Sequence, residues 1–269
     1  MKKKKKFNLL TRLFTGLIYI SLVIFSIEKG EKTFRIMMMI LSFLCLFEFL
    51  IISGTDTILT KIVSLFFLSS IIMDFFLEKG HILYIICFIP YSVTFFIIQL
   101  FLKKKSYKER IVQIGNLIFG FVYIIIPFYL ASYIYTYGKK LILGIFILIW
   151  INDSLSYLVG KRWGRIKIAT SISPKKSVEG FIGGFLFCSA TGFFLYKIWD
   201  KEYWIILSFI VSIFSTIGDL IESLIKRSYN VKNSSIFFPG HGGFLDRLDS
   251  FIIVIPVITT IIISVVYFF

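Results

Sequence analysis

The chain has 269 residues, of which 57% are hydrophobic and 19% aromatic, and its formal net charge is +15. So much apolar surface excludes a soluble globular domain, because runs of the roughly 17–25 apolar residues that cross a bilayer recur along the whole sequence. The placement of the positive charge, gathered in alternate loops, excludes nucleic acid as its partner.

Nine spans are predicted, at 13–27, 33–52, 62–77, 81–102, 112–135, 141–160, 178–196, 203–220 and 248–268. The expected fold is an all-α, polytopic, integral membrane helical bundle forming one domain over 1–269. Residues 1–140 supply scaffold spans and 141–269 carry the chemistry. Lys2 to Lys6 precede an apolar run that ends at Ile27-Glu28-Lys29 without a small-x-small cleavage pattern, so a retained first span is expected. A cytoplasmic amino terminus places 22 of the 30 basic residues in inner segments, including Lys61, Lys103, Lys104 and Lys105. Cys45, Cys87 and Cys188 each stand alone in an apolar span, without metal-ligand spacing, and are expected to pack. In the first half Asp74 is expected to snorkel. Glu48, between Phe47 and Phe49, either snorkels or works inside the bundle. Pro90 and Pro127 are expected to kink their spans.

Polar residues gather after Trp150 in three clusters. The first is Asn152-Asp153-Ser154-Leu155-Ser156-Tyr157, ending at Gly160. Asn152, Asp153 and Ser156 share one helix face, which suits a polar cavity or a packing seam. The second runs from Ser173 through Pro174, Lys175, Lys176 and Ser177 to Glu179 and Gly180. Ser173 and Glu179 are expected to cap the seventh helix, leaving Lys175 and Lys176 at its positive end, to bind an anion or to anchor at lipid head groups.

The third cluster runs from Asp219 to Asp249 and is the densest. Asp219, Glu222, Ser223 and Lys226 form one stripe at i, i+3, i+4 and i+7. Pro239-Gly240-His241-Gly242-Gly243 follows, and then Asp246 and Asp249 at the start of the last span. Glycine lets backbone amides approach a phosphate, and carboxylates at a helix start suit a hard cation. Lys226, Arg227, Lys232 and Arg247 can neutralise phosphate charge. His241 serves either as a hydrogen-bond donor that fixes the loop or as a general base. The set suits magnesium and a polyphosphate.

These residues resemble the phosphatidate cytidylyltransferase family, whose closing pattern is S-x-x-K-R, four residues, K-D, then P-G-H-G-G-x-x-D-R-x-D. Ser223, Lys226, Arg227, Lys232, Pro239 to Gly243, Asp246, Arg247 and Asp249 match it. Asp153-Ser154 and SPKKSVEGFIGG resemble two upstream motifs of the same family, in order. Asn233 stands where the family has aspartate; its amide oxygen can still ligate, so turnover is expected without restoring the acid.

The resemblance implies an enzyme that makes CDP-diacylglycerol and pyrophosphate from CTP and phosphatidic acid, multi-pass in the cell (inner) membrane and a homodimer. It implies Asp219 and Asp246 as principal magnesium ligands, with Asp249 and Asp153 in support. Lys226, Arg227 and Arg247 would then hold phosphate oxygens, and Lys175 and Lys176 either the triphosphate or the lipid phosphate. Ser173, Ser223, Lys232, Gly242 and Gly243 would complete the substrate contacts. The other classes are a transporter of an anionic solute, a lipid-binding scaffold and a CTP-dependent lipid kinase. Transporters concentrate polar groups at the midplane of paired repeats. Here they crowd one face and no internal repeat is visible.

Overall fold

The computed structural model describes residues 9–55, 93–98, 100, 106–232, 234 and 242–268. The expected span 62–77 and most of 81–102 lie outside the described residues. So do Lys2 to Lys6, Lys61, Asp74, Cys87, Pro90, Lys103 to Lys105, Asn233, Pro239, Gly240 and His241.

The elements are α1 (Leu9–Lys29), α2 (Glu31–Ile52), α3 (Tyr107–Gly120), a π-helical turn (Phe121–Ile125), α4 (Ile126–Tyr135), α5 (Lys139–Trp163), β1 (Lys167–Ala169), β2 (Ser173–Ser177), α6 (Val178–Trp199), α7 (Tyr203–Ser228) and α8 (Leu245–Phe268). Six helical stretches among the described residues are long and apolar enough to cross a membrane. The chain is therefore a multi-pass, helical membrane protein. Its outer faces fit that environment: Leu186, Phe194 and Ile198 of α6 are 61%, 64% and 70% exposed. Water would penalise such a face, whereas lipid does not.

The chain forms two compact units. One comprises residues 1–133 with 234–245, and the other comprises 134–233 with 246–269. In the first, Phe34, Met38, Leu46 and Phe49 of α2 are fully buried or nearly so, and the Phe49 ring meets that of Phe119 at 5.7 Å. Ser106 and Glu109 form a reciprocal capping box at the start of α3, each satisfying the other's amide. Pro127 lacks an amide hydrogen and crowds the carbonyl four residues back, in Tyr123. The wider π turn at Phe121–Ile125 lies where that conflict falls.

The second unit packs α5, α6 and α7 together. Phe146 of α5 stacks on Phe251 of α8 at 5.2 Å. The Cys188 thiol donates to the Ser208 carbonyl at 3.3 Å, so this cysteine packs between helices as its isolation in the sequence implies. Small residues let α5 and α6 approach closely, and a Cβ on Gly180 would stand 2.8 Å from the Ser156 carbonyl.

Between α5 and α6 lies a feature outside the expected all-α pattern. β1 and β2 pair antiparallel, with Lys167 opposite Ser177 and Ala169 opposite Ser173. Ser173 therefore lies in a strand and does not cap the helix. Ser177 does so instead, accepting from the Gly180 amide at 3.2 Å. Glu179 turns back to accept from the amides of Arg165 (3.0 Å) and Ile166 (3.1 Å), and the Val178 amide donates to the Ile166 carbonyl at 2.9 Å. These bonds close the base of the hairpin on the first turn of α6.

Candidate active site

The second unit holds a cavity of about 570 Å³ walled by the end of α5, the hairpin, the first turn of α6 and α7. That volume lies within the roughly 300–1,000 Å³ usual for small-molecule sites. Asp153 and Asp219 line it, as do Ser173, Lys175 and Lys176 from the hairpin. Two further cations, Lys161 and Lys167, stand on its wall. Both look in the sequence like topology-setting charge. The overlooked signal is that Asp153, Tyr157 and Lys161 recur every fourth residue, one stripe of α5 facing the cavity.

α7 has 26 residues, about 39 Å at 1.5 Å per residue, so it outruns a hydrocarbon core of about 30 Å. Its last turns carry the acid and base stripe. Lys226 pairs with Glu222 and reaches Asp246 Oδ1 at 2.5 Å. Lys176 of β2 pairs with Asp219. Asp249 is close enough to Asp219 to share a hydrogen bond, and Asp153 lies within electrostatic reach of both. Asp153 also accepts from the Asn152 amide at 3.3 Å, while Asn152 Oδ1 accepts from Ser212 Oγ at 3.0 Å. The carboxylates of α5, α7 and α8 thus form one cluster, with Asp219 joined directly to Asp249, and Asp246 joined through Lys226.

Among the described residues, no three side chains of the ligating type surround a common point. Magnesium does not need three: it takes one or two carboxylates and completes its shell from phosphate and water. The cluster sets five carboxylates, Asp153, Asp219, Glu222, Asp246 and Asp249, against Lys176 and Lys226. All are hard oxygen donors, and adjacent anions in a membrane span repel unless a cation joins them. The residues present fit a divalent ion.

Gly218 sets the approach of α7 to α8. A Cβ there would stand 2.6 Å from the Asp249 carbonyl oxygen and 3.0 Å from Ser250 Cα, both backbone atoms that cannot swing away. Gly218→Ala is expected to destabilise the protein by about 1–3 kcal/mol through overpacking. A thermal melt in detergent checks this; an unchanged midpoint would contradict the contact.

The other expected site residues are placed differently. Arg227 is exposed and ties loops, donating from Nε to the Ile172 carbonyl at 3.4 Å and from Nη1 to the Val231 carbonyl at 3.1 Å. Lys232 and Arg247 are exposed and Ser223 is half-buried. Gly242 and Gly243 are buried in the first unit, Gly242 with φ 87. The amides of Phe244 and Leu245, just after them, donate at 3.0 Å each to Glu48. The anion that these two amides hold in this structure is the chain's own carboxylate.

Comparison with known proteins gives concordant matches. The profile of the cytidylyltransferase family matches residues 10–265. A phosphatidate cytidylyltransferase of Staphylococcus aureus (strain COL) is 42% identical over 132 residues, 47% of this chain and 50% of that protein. The phosphatidate cytidylyltransferase of Staphylococcus haemolyticus is 40% identical over 132 residues, with the same coverage. That of Staphylococcus epidermidis is 37% identical over 131 residues, again 47% of this chain and 50% of the relative. The aligned stretch spans about half the length of these curated relatives.

Proposed function

The chain belongs to the cytidylyltransferase family, and from that premise we propose that it transfers a cytidylyl group from CTP to phosphatidic acid, releasing pyrophosphate and leaving CDP-diacylglycerol. The observation that carries this reading is the cavity itself. It puts four lysines, Lys161, Lys167, Lys175 and Lys176, opposite Asp153 and Asp219 at the end of membrane helices. A triphosphate needs that set of cations, and a lipid phosphate travels at the depth where the helices end.

In the reaction, a phosphate oxygen of phosphatidic acid attacks the α-phosphorus of CTP and forms a new P–O bond. The bond from that phosphorus to the oxygen bridging it to the β-phosphorus breaks, and pyrophosphate departs with the electron pair. The protein's part is to align the two phosphates and offset their charge. Lys175 and Lys176, held on a strand, bind the triphosphate, and Lys161 and Lys167 extend the basic wall. Lys226 keeps Asp246 in place. Asp219 and Asp246 would hold magnesium, with Asp249 and Asp153 beside them, and the ion would supply Lewis-acid neutralisation of phosphate oxygens. A nine-span chain with a cytoplasmic amino terminus, working as a homodimer in the cell's inner membrane, suits CTP from the cytoplasm and lipid from the leaflet.

Purified protein incubated with CTP labelled at the α-phosphate, phosphatidic acid and magnesium is expected to yield labelled lipid and one pyrophosphate per lipid. Labelled CDP with phosphorylated lipid would show a lipid kinase instead. No labelled lipid at all would overturn the proposal.

A further inference from the structure

Glu48 lies near the end of α2 in an apolar run, yet it is 4% exposed. Among the described residues, three donors to its carboxylate come from a segment nearly two hundred residues away. Ser234 Oγ donates to Oε2 at 2.9 Å, the Phe244 amide to Oε1 at 3.0 Å and the Leu245 amide to Oε2 at 3.0 Å. The backbone of Gly243 lies flat against the same group, and a Cβ there would overlap both Glu48 Oε2 and Ser234 Oγ. Glycine at 243 is thus required by the carboxylate beneath it.

Leu245 is the first residue of α8. The opening amides of a helix have no partner within it and carry the positive end of its dipole, so they take an anion readily. Here that anion comes from another helix and acts as a cap supplied from a distance. The next residue of α8 is Asp246, and Asp249 follows within one turn. If a loosened start let α8 slip along its axis, both aspartates would turn by about 100° for each residue of slippage.

We infer that Glu48 is a positioning residue for the proposed transfer: it fixes the start of α8 and so the register at which Asp246 and Asp249 are presented. The inference rests on the function proposed above, but its geometry does not. Three donors require an acceptor-only group. Glutamine, of the same shape, carries one N–H₂ and must turn it toward at least one of those donors.

Two variants test this, E48Q and S234A, each with two readouts. In E48Q, kcat is expected to fall about 10–100-fold, because small misplacements of reacting groups carry costs of that order. The KM for CTP should stay within about threefold, as expected when ground-state binding is untouched. Independently, hydrogen exchange at Phe244 and Leu245 should quicken at least about tenfold while α6 exchanges as before. S234A removes one donor and should show the same pattern, weaker; it decides the matter if E48Q does not fold. Unchanged kcat together with unchanged exchange in these variants would overturn the assignment. An unsubstituted protein that transfers no cytidylyl group would refute the function alone, and exchange would then decide whether Glu48 holds the helix start.

Discussion

Asp219→Ala is expected to lower cytidylyl transfer about 10²–10³-fold, the usual loss when one preorganised electrostatic group leaves an active site. Asp219 lines the cavity, pairs with Lys176 and lies beside Asp249. No other carboxylate of the cluster combines these contacts. Its loss should not block membrane insertion, since the apolar faces of α7 are untouched. The variant is therefore expected in the membrane fraction at normal yield, with raised magnesium demand in Asp219→Asn, which keeps one oxygen donor. Labelled-lipid formation measured against magnesium concentration checks both statements. Turnover within about threefold of the parent in Asp219→Ala would remove this residue from the metal and phosphate site, since such a change is worth under about 1 kcal/mol.

The largest effect on stability is expected at Lys226. Its side chain, 12% exposed, puts its ammonium between the side chains of Glu222, 1% exposed, and Asp246, 11% exposed. Removing one partner of a buried ion pair leaves charge without compensation, at about 3–5 kcal/mol. Lys226→Met should cost that much, and the double variant K226M/E222Q should recover part of it by removing one stranded carboxylate. The recovered stability should bring little activity, because the Lys226 contact to Asp246 is still lost. Chemical denaturation in detergent measures the first effect and the cytidylyl-transfer assay the second. Additive destabilisation in the double variant would mean that Lys226 and Glu222 do not act as a pair.

Much of this was legible in the sequence, for reasons that differ along the chain. Helix α2 was expected at 33–52 and spans Glu31–Ile52; α7 begins at the expected residue 203. Long apolar runs report themselves by composition alone. The predicted span ends at 220, where the stripe from Asp219 to Lys226 marks the helix leaving the membrane, and the helix itself runs on through that stripe. Ile221, Leu224 and Ile225 carry the apolar face on to Ser228. The hairpin was missed because SISPKKS has neither a strand's alternation nor a branched apolar face. Its order comes from Glu179 and from pairing across the turn. Glu48 stands out in the sequence as an acid in an apolar run, free to snorkel or to work inside the bundle, but its partners lie far along the chain and leave no local pattern. Asp153, Asp219 and Lys176 could be grouped by charge and spacing; which carboxylate meets which lysine required the packing of α5, α7 and α8.

Under the proposed transfer, the hairpin would have a consequence for how CTP is captured. Glu179 fastens its base and Arg227 holds the Ile172 carbonyl, so Lys175 and Lys176 wait on stiffened backbone. A flexible basic loop would surrender conformational freedom on closing over a triphosphate, commonly about 1–2 kcal/mol for each backbone residue ordered. Here that entropy was lost once, during folding, and under the proposed function each arriving CTP would meet an ordered basic shelf.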